Sequence, residues 1–350
     1  MAGGLKIIVV GETFPASRTV QRIRAFERLG HEVDVVSTSA GEDSYERRSD
    51  FVERIRYRLR IPADTARANR NLVKAAGIST NIVWLDNARS IHASTLQKVR
   101  QRAPRARLVW YCEDDMMNPR HRTVWIQRAM PNFDLWVTTK SFNTNPEELP
   151  RFGVRNFLFV DNTFDPILHR PRRSDDKALE GLSADIAFIG TFEEPRADSM
   201  LKLAENRLPV RIWGNGWEQW RGRHPLLRIE GTPIYNDDYA RCISATRINL
   251  CFLRHFNRDL QTCRSVEIPA CGGFMLHERS AEVERLFAPD REAAYFGNDD
   301  ELVAQCRFWL ENEQKRAEVA QAAGRRAIES GLSHDAMLTR ALEGALEIPV

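Results

Sequence analysis

The sequence predicts an α/β protein built from two Rossmann-like halves, and three observations carry that prediction. Short apolar runs alternate with stretches of helical periodicity along most of the chain. The alternation pauses once, near residues 161–183, and then restarts. At 350 residues the chain suits two domains of ordinary size better than one.

In the first half, residues 5–10 form an apolar run closed by Gly11, and residues 18–29 place Val20, Ile23, Phe26 and Leu29 at helical spacing before Gly30. Strands are predicted at 33–36, 81–85, 108–111 and 135–138, with helices over 93–102 and 123–130. This alternation implies parallel strands joined by crossover helices, whose runs are apolar throughout because both sheet faces are covered. Asp165-Pro166, Pro171 and the polar stretch 172–177 read as a linker. After it, strands are predicted at 186–189, 210–213, 248–253 and 273–276, and helices over 195–205, 236–244 and 282–286. From 299 to 346 the pattern is helical, interrupted near Ser330-Gly331. An open parallel sheet takes its ligand at the carboxyl ends of its strands, so two such domains facing each other make a cleft.

Composition narrows the function. A formal net charge of +3 gives no reason to expect a nucleic-acid partner. Arginines cluster at Arg47-Arg48, between 100 and 107 and between 170 and 173. They read as solvated surface or as affinity for phosphates and anionic lipid headgroups, hence peripheral membrane contact. No apolar run approaches the ~20 residues of a membrane span, and no charged region followed by an apolar one suggests a signal peptide. Six cysteines without C-x-x-C spacing read as free thiols in a reducing compartment, with no zinc site. A cytoplasmic location follows as the expectation.

The segment 262–276, T-C-R-S-V-E-I-P-A-C-G-G-F-M-L, carries the most chemistry. Thr262 is predicted to cap a short helix that sets Arg264 and Glu267 on one face. Arg264 can pair with a diphosphate through its fork of donors, and Glu267 can accept from two ribose hydroxyls. Gly272 and Gly273 let a backbone approach a ligand closely. A surface helix with an internal salt bridge and a glycine turn is the plainer reading of the same spacing. Gly190 and Thr191 close the strand at 186–189, where a turn feeding a helix offers N–H groups to phosphate. Arg196 is a second phosphate candidate or a solvated helix charge, and Gly214 and Gly216 flank Asn215 after another strand. Neither that G-x-G nor Gly11 completes the dinucleotide fingerprint, which argues against a nicotinamide or flavin enzyme. Glu113, Asp114 and Asp115 sit just past a predicted strand end. Three adjacent carboxylates repel, which can raise a pKa and create a general base. A solvated acidic loop, a helix N-cap or a metal pair are the alternatives. Glu12, beside Gly11, is a second base candidate.

R-S-V-E-I-P-A-C-G-G-F at 264–274 resembles the signature of the CgeB-like glycosyltransferases, within the wider group 1 glycosyltransferase superfamily. D-I-A-F-I-G-T-F-E-E-P-R at 185–196 resembles the opening strand of that family's donor domain, and W-G-N-G-W at 213–217 its G-x-G-W turn. W-Y-C-E-D-D at 110–115, followed by Phe133-Asp134-Leu135, is similar to the same family, so the likeness spans most of residues 105–345. Many relatives carry two glutamates eight positions apart in the donor site. Glu267 matches the second and Asp259 stands, one methylene shorter, at the first. Val266 replaces a frequent aromatic residue. His334 resembles a family position but lacks its neighbours, and reads as a structural histidine at a helix end.

The resemblance implies a GT-B fold: an acceptor domain over residues 1–165, a donor domain over 166–330, and a final helix over 331–350 packing back on the first domain. It implies metal-independent transfer of a hexosyl group from a UDP- or GDP-type sugar to a glycan, lipid-linked or protein acceptor, in bacterial surface glycan or glycoconjugate synthesis. No cofactor and no metal are expected. Gly190, Thr191, Arg196, Gly214, Gly216, Trp217, Asp259, Arg264, Glu267, Gly272 and Gly273 are the expected donor-binding residues. Asp114, then Asp115 and Glu12, are the expected catalytic ones. A sugar-nucleotide epimerase of the same fold and a non-catalytic nucleotide-sugar-binding protein are the rival readings.

Overall fold

The computed structural model describes residues 4–41, 44, 47, 50–172, 179 and 181–349. Arg48, Arg173 and linker positions 173–177 lie outside the described residues. The chain divides into two compact units. One takes residues up to Asp161 together with the chain from His334 onward, and the other is Asn162–Ser333.

Among the described residues, the first unit holds a six-stranded parallel sheet of β1 (Lys6–Gly11), β2 (Glu32–Ser37), β3 (Ile82–Asp86), β4 (Arg107–Cys112), β5 (Leu135–Thr138) and β6 (Phe157–Phe159). The strand order is β2-β1-β3-β4-β5-β6, so the direction of winding reverses between β1 and β3. β1, β3, β4 and β5 are apolar at nearly every position because helices cover both faces. Those helices include α1 (Arg18–Arg28), α3 (Ala68–Ala75), α4 (Ala93–Arg102) and α5 (Val124–Ala129). α2 (Phe51–Leu59) buries no residue at all. α1 starts where Ser17 accepts from the Val20 N–H, which satisfies one orphan donor of the first turn. Gly11 lets α1 sit tight on the sheet: a Cβ there would lie 2.7 Å from Thr19 Cγ2 and 3.0 Å from Asp86 O. Trp84, Trp110 and Trp136 are fully buried in this core, with Trp110 and Trp136 stacked at 5.1 Å.

The second unit repeats the plan. Its strands are β7 (Ala184–Ile189), β8 (Val210–Trp213), β9 (Leu227–Ile229), β10 (Thr246–Cys251), β11 (Met275–Glu278) and β12 (Ala294–Phe296). Their order, β9-β8-β7-β10-β11-β12, is the doubly wound order with its reversal between β7 and β10. α6 (Glu194–Glu205), α7 (Asn236–Ala245), α8 (Arg264–Ala270), α9 (Ala281–Leu286), α10 (Asp299–Glu311) and α11 (Glu313–Glu329) connect and cover it. α12 (His334–Glu347) then returns to the first unit and packs on α1, β4 and β5. Met337, Leu338, Ala341, Leu342 and Ala345 join Ile7, Val9, Phe26 and Trp84 in one apolar cluster. Arg28 clamps Asp335 with two hydrogen bonds, at 3.0 and 2.8 Å. His334 is fully buried at the start of α12, 3.2 Å from Gln21 Oε1.

β6, β9 and β12 add to the strands that the sequence predicts, since three residues carry no measurable period. β11 begins at Met275, not Gly273, because Gly272 (φ +73°) and Gly273 form the turn that leaves α8.

Candidate active site

In the second unit β10, β7 and β8 lie side by side, so the turns after them meet at the carboxyl edge of the sheet, and the donor candidates separate there by topology. α8 leaves the carboxyl end of β10 and runs back across the sheet. Its first residue, Arg264, therefore stands at the carboxyl edge, beside the turn after β7. A Cβ on Gly190 would lie 2.7 Å from the Phe188 ring and 3.2 Å from Arg264 Nη1, so only glycine fits. Gly272 and Gly273 lie past the far end of α8, at the amino end of β11. That corrects their expected place at the ligand. A Cβ on Gly273 would strike Ile243 at 2.5 Å and Asn249 at 2.8 Å, so this glycine serves packing.

Arg264 is the most informative residue of this edge. Among the described residues its guanidinium has no ion-pair or hydrogen-bond partner, and Nε is buried without an acceptor. Its Cζ lies 5.4 Å from the centroid of the Phe188 ring, and Arg196 stands at the same distance from the same ring. Arg196 is neither a solvated charge nor open to a ligand. It is 4% exposed, pairs with Glu193 at 2.7 Å, and reaches the Thr191 and Leu253 carbonyls at 3.4 Å. It thus ties the turn after β7 to the turn after β10. Burial, and then the neighbouring charge of Arg264, push its pKa down to about 10. Arg254 pairs with the same Glu193 at 2.9 Å. Arg196 and Arg254 thus share one carboxylate, while the Arg264 guanidinium beside them has none.

The Gly190 turn is held from behind. Gly190 N–H donates to Trp213 O, Phe192 N–H to Asn215 O, and Gly190 O accepts from the Trp217 indole at 2.9 Å. Two N–H groups of the expected row, those of Gly190 and Phe192, are therefore taken, and among the described residues that of Thr191 between them is not. Trp217 is fully buried and edge-on to Phe188 and Phe192, so it shapes the turn and presents no face to a ligand. Gly214 (φ +150°) passes so close that a Cβ would lie 2.0 Å from Gly190 O, and Gly216 (φ +86°) follows.

Glu267, one turn into α8, is 5% exposed. Tyr239 of α7 donates to its Oε2 at 2.7 Å, and His169 Nε2 lies 3.8 Å from Oε1. The carboxylate is thus oriented by two residues that the sequence did not single out, and it makes no ion pair with Arg264. Asp259 is 7% exposed and accepts from Asn257 at 2.7 Å in the loop after β10. Thr262 does not cap α8: its N–H donates to Ser265 Oγ, and Cys263 holds the cap position without a side-chain bond.

In the first unit the three adjacent carboxylates point to three different partners, which corrects the expected mutual repulsion. Glu113 meets Arg18 at 3.1 Å, Arg22 at 3.0 Å and the Tyr111 hydroxyl at 2.9 Å. Burial alone would raise its carboxyl, but the charges of Arg18 and Arg22 win and hold it at about 2. Asp115 is 2% exposed and accepts from Met117 N and Asn143 Nδ2, which closes a turn. Asp114 pairs with Arg89, with His121 Nδ1 at 3.9 Å. Glu12, after β1, is exposed. Beneath them lies a buried pair: Arg22 binds Asp86 at 2.6 and 2.7 Å, and its guanidinium covers Tyr111 at 4.5 Å.

The Glu113 arrangement predicts a pH dependence. Its folded-state pKa lies below the ordinary 4.5. Its contribution is therefore complete above about pH 4.5 and is lost as pH falls through about 2, on the order of 3 kcal/mol. Glu113→Gln is expected to flatten the pH dependence of urea stability in that window. A stability profile unchanged by the substitution would show that Glu113 is not held ionised by its arginines.

Residues 196–343 match the model of a family described as Glycosyl transferase-like. Over nearly the whole chain the structure also matches solved proteins. Sucrose-phosphate synthase from Thermosynechococcus elongatus has 12% identity and a TM-score of 0.67, with 97% of this chain and 98% of that one covered. An alpha-glucosyltransferase in complex with UDP-glucose and DNA containing an abasic site has 13% identity and a TM-score of 0.68, with coverage of 99% and 100%. The fold is GT-B. Anabaena HepE, solved with UDP and glucose, matches this GT-B chain at 14% identity and a TM-score of 0.63, covering 97% of it and 99% of HepE. No curated protein matches the chain by sequence. The family match begins at Arg196, so it takes in Arg264 and Glu267 but neither the Gly190 turn nor Asp114. Among the described residues, no helix is long and apolar enough to cross a membrane.

Proposed function

We propose that this chain is a glycosyltransferase that binds a nucleoside-diphosphate sugar, of the UDP or GDP type, at the carboxyl edge of the second sheet. The observation that carries the reading is Arg264: a guanidinium without an anionic partner, beside a turn where only glycine fits, at the reversal of a doubly wound sheet. A diphosphate supplies the missing partner. Because Arg264 breaks no existing ion pair to receive it, the charge that develops on the leaving diphosphate meets a donor already in place. The Thr191 N–H and Arg254 add to that field. Glu267, oriented by Tyr239, accepts from the ribose hydroxyls, with Asp259 on the sugar side. Trp217, Arg196 and the two glycines of the 214–216 turn act by fixing the Gly190 turn.

The reading continues to hexosyl transfer without a metal, within the CgeB-like group, for bacterial surface glycan or glycoconjugate synthesis. Asp114, fixed by Arg89, and the exposed Glu12 are its candidates for handling the acceptor hydroxyl in the first unit. The arginine-rich surface of that unit adds a peripheral contact with a membrane.

Titration of UDP and GDP into the full chain tests the donor site. Arg264→Met is expected to weaken the preferred nucleotide by about 10- to 150-fold, the loss of a charge-assisted hydrogen bond. Its thermal unfolding temperature should hold or rise, because the substitution removes an unpaired, half-buried charge. Equal dissociation constants for parent and variant would place the nucleotide elsewhere.

A further inference from the structure

The arginines that cluster in sequence near residue 47 continue into α2, which no sequence motif had marked. In this nine-residue helix Phe51, Val52, Ile55 and Leu59 are between 40% and 69% exposed. At 100° per residue these four side chains fall within one arc of about 100°. Arg54 and Arg58 border that arc on one side and Arg56 on the other. Glu53, the one acid of the helix, lies on the opposite side and pairs with Arg47. The helix also forms one wall of a groove of about 570 Å³, lined by Arg54, Tyr57, Arg58, Arg60, Pro119 and Arg120, without an acidic side chain. Arg54 and Arg58 have no ion-pair partner among the described residues.

An apolar stripe bordered on both sides by arginines is poorly matched to water and to a neutral protein surface. It matches an interface whose outer layer is anionic and whose inner layer is hydrocarbon. Arginine stems are long enough to lie on the apolar layer while their heads stay among phosphates.

We propose that α2 is the element by which this protein lies on an anionic lipid surface: Phe51, Val52, Ile55 and Leu59 enter the boundary of the acyl chains, and Arg54, Arg56 and Arg58 bind lipid phosphates. The proposal rests on the peripheral-membrane part of the reading above and is independent of the donor site.

The test is sedimentation of the full chain with vesicles of phosphatidylcholine, with or without about one third phosphatidylglycerol, at low salt. The parent is expected to bind the anionic vesicles, more weakly as salt rises, and not the neutral ones. Arg54→Gln with Arg58→Gln is expected to weaken binding by about 25-fold, roughly fivefold per charge. Ile55→Gln with Leu59→Gln should weaken it at least about tenfold. Both variants change only exposed side chains, so their unfolding temperature and nucleotide affinity should equal the parent's. Vesicle binding by the parent that survives in both variants would keep the membrane contact and remove it from α2. Failure of the parent to bind anionic vesicles would overturn both, leaving the donor site to its own titration. A concentration-dependent dimer that Ile55→Gln with Leu59→Gln dissolves would assign the stripe to a second copy of this chain instead.

Discussion

Replacing Asp86 by alanine is expected to destabilise the protein by about 3–5 kcal/mol, the cost of leaving one member of a buried ion pair alone. Arg22 and Asp86 are each 3% exposed and meet through two short hydrogen bonds. Thr19 Oγ1 and the Trp84 indole also donate to Asp86, both at 3.2 Å. Burial would lower the pKa of Arg22, yet the charges of Asp86, Tyr111 and Glu113 raise it, so the guanidinium stays charged inside the core. Without Asp86 that charge keeps only the neighbouring Glu113, and the two other donors lose their acceptor. Urea denaturation of parent and variant measures the difference. The double change Arg22→Met with Asp86→Ala should recover part of the loss, because it removes the stranded charge while Thr19 and Trp84 stay without their acceptor. A single variant that loses less than about 1 kcal/mol would mean that the pair is solvated.

The second large effect is expected at Gly214→Ala. Two costs add there: a φ of +150° that residues with a Cβ avoid, and a methyl group 2.0 Å from Gly190 O and 2.6 Å from Gly190 C. Both contacts are with backbone, which cannot rotate away as a side chain would. Strain and overpacking of this kind cost about 3 kcal/mol or more together. Relief requires the Gly190 turn to move, which breaks the Trp217–Gly190 hydrogen bond and displaces Phe188 from under Arg264. Nucleotide affinity should therefore fall along with stability, whereas Arg264→Met lowers affinity alone. Calorimetric titration and thermal unfolding of both variants separate the two patterns. Gly214→Ala with parent-like affinity would detach the 214–216 turn from the donor site.

The fold was legible wherever the chain is buried on both faces. β1, β4, β5, β7 and β8 stand out as uninterrupted apolar runs, and α4 and α6 as periodic ones, because a covered strand or a half-covered helix constrains every residue type along it. α2 escaped for the complementary reason: nothing in its own protein selects its residues. The candidate site was legible as residue types but not as directions. Arg264 and Glu267 sit three apart in sequence, which suggested a shared task, but the partners that orient Glu267 come from α7 and from the segment before Arg172. Gly272 and Gly273 follow the same motif, and only the path of α8 across the sheet shows that they end at its other edge. The run Glu113-Asp114-Asp115 reads as one acidic cluster. Backbone direction after β4 turns the three side chains to Arg22, Arg89 and Asn143 in turn, and distance in sequence carries no trace of that.

The return of α12 has a bearing on synthesis. Arg28 and Asp335 meet across 307 positions, and Met337, Leu338, Ala341 and Leu342 complete a cluster begun by Ile7 and Val9. A ribosome adding about 5–20 residues per second delivers all of the second unit between those two halves of one core. The second unit, contiguous from Asn162 to Ser333, can close as it emerges. The first must wait for α12 to cover its part of the sheet. Order of translation and order of completion are therefore opposite for the two units.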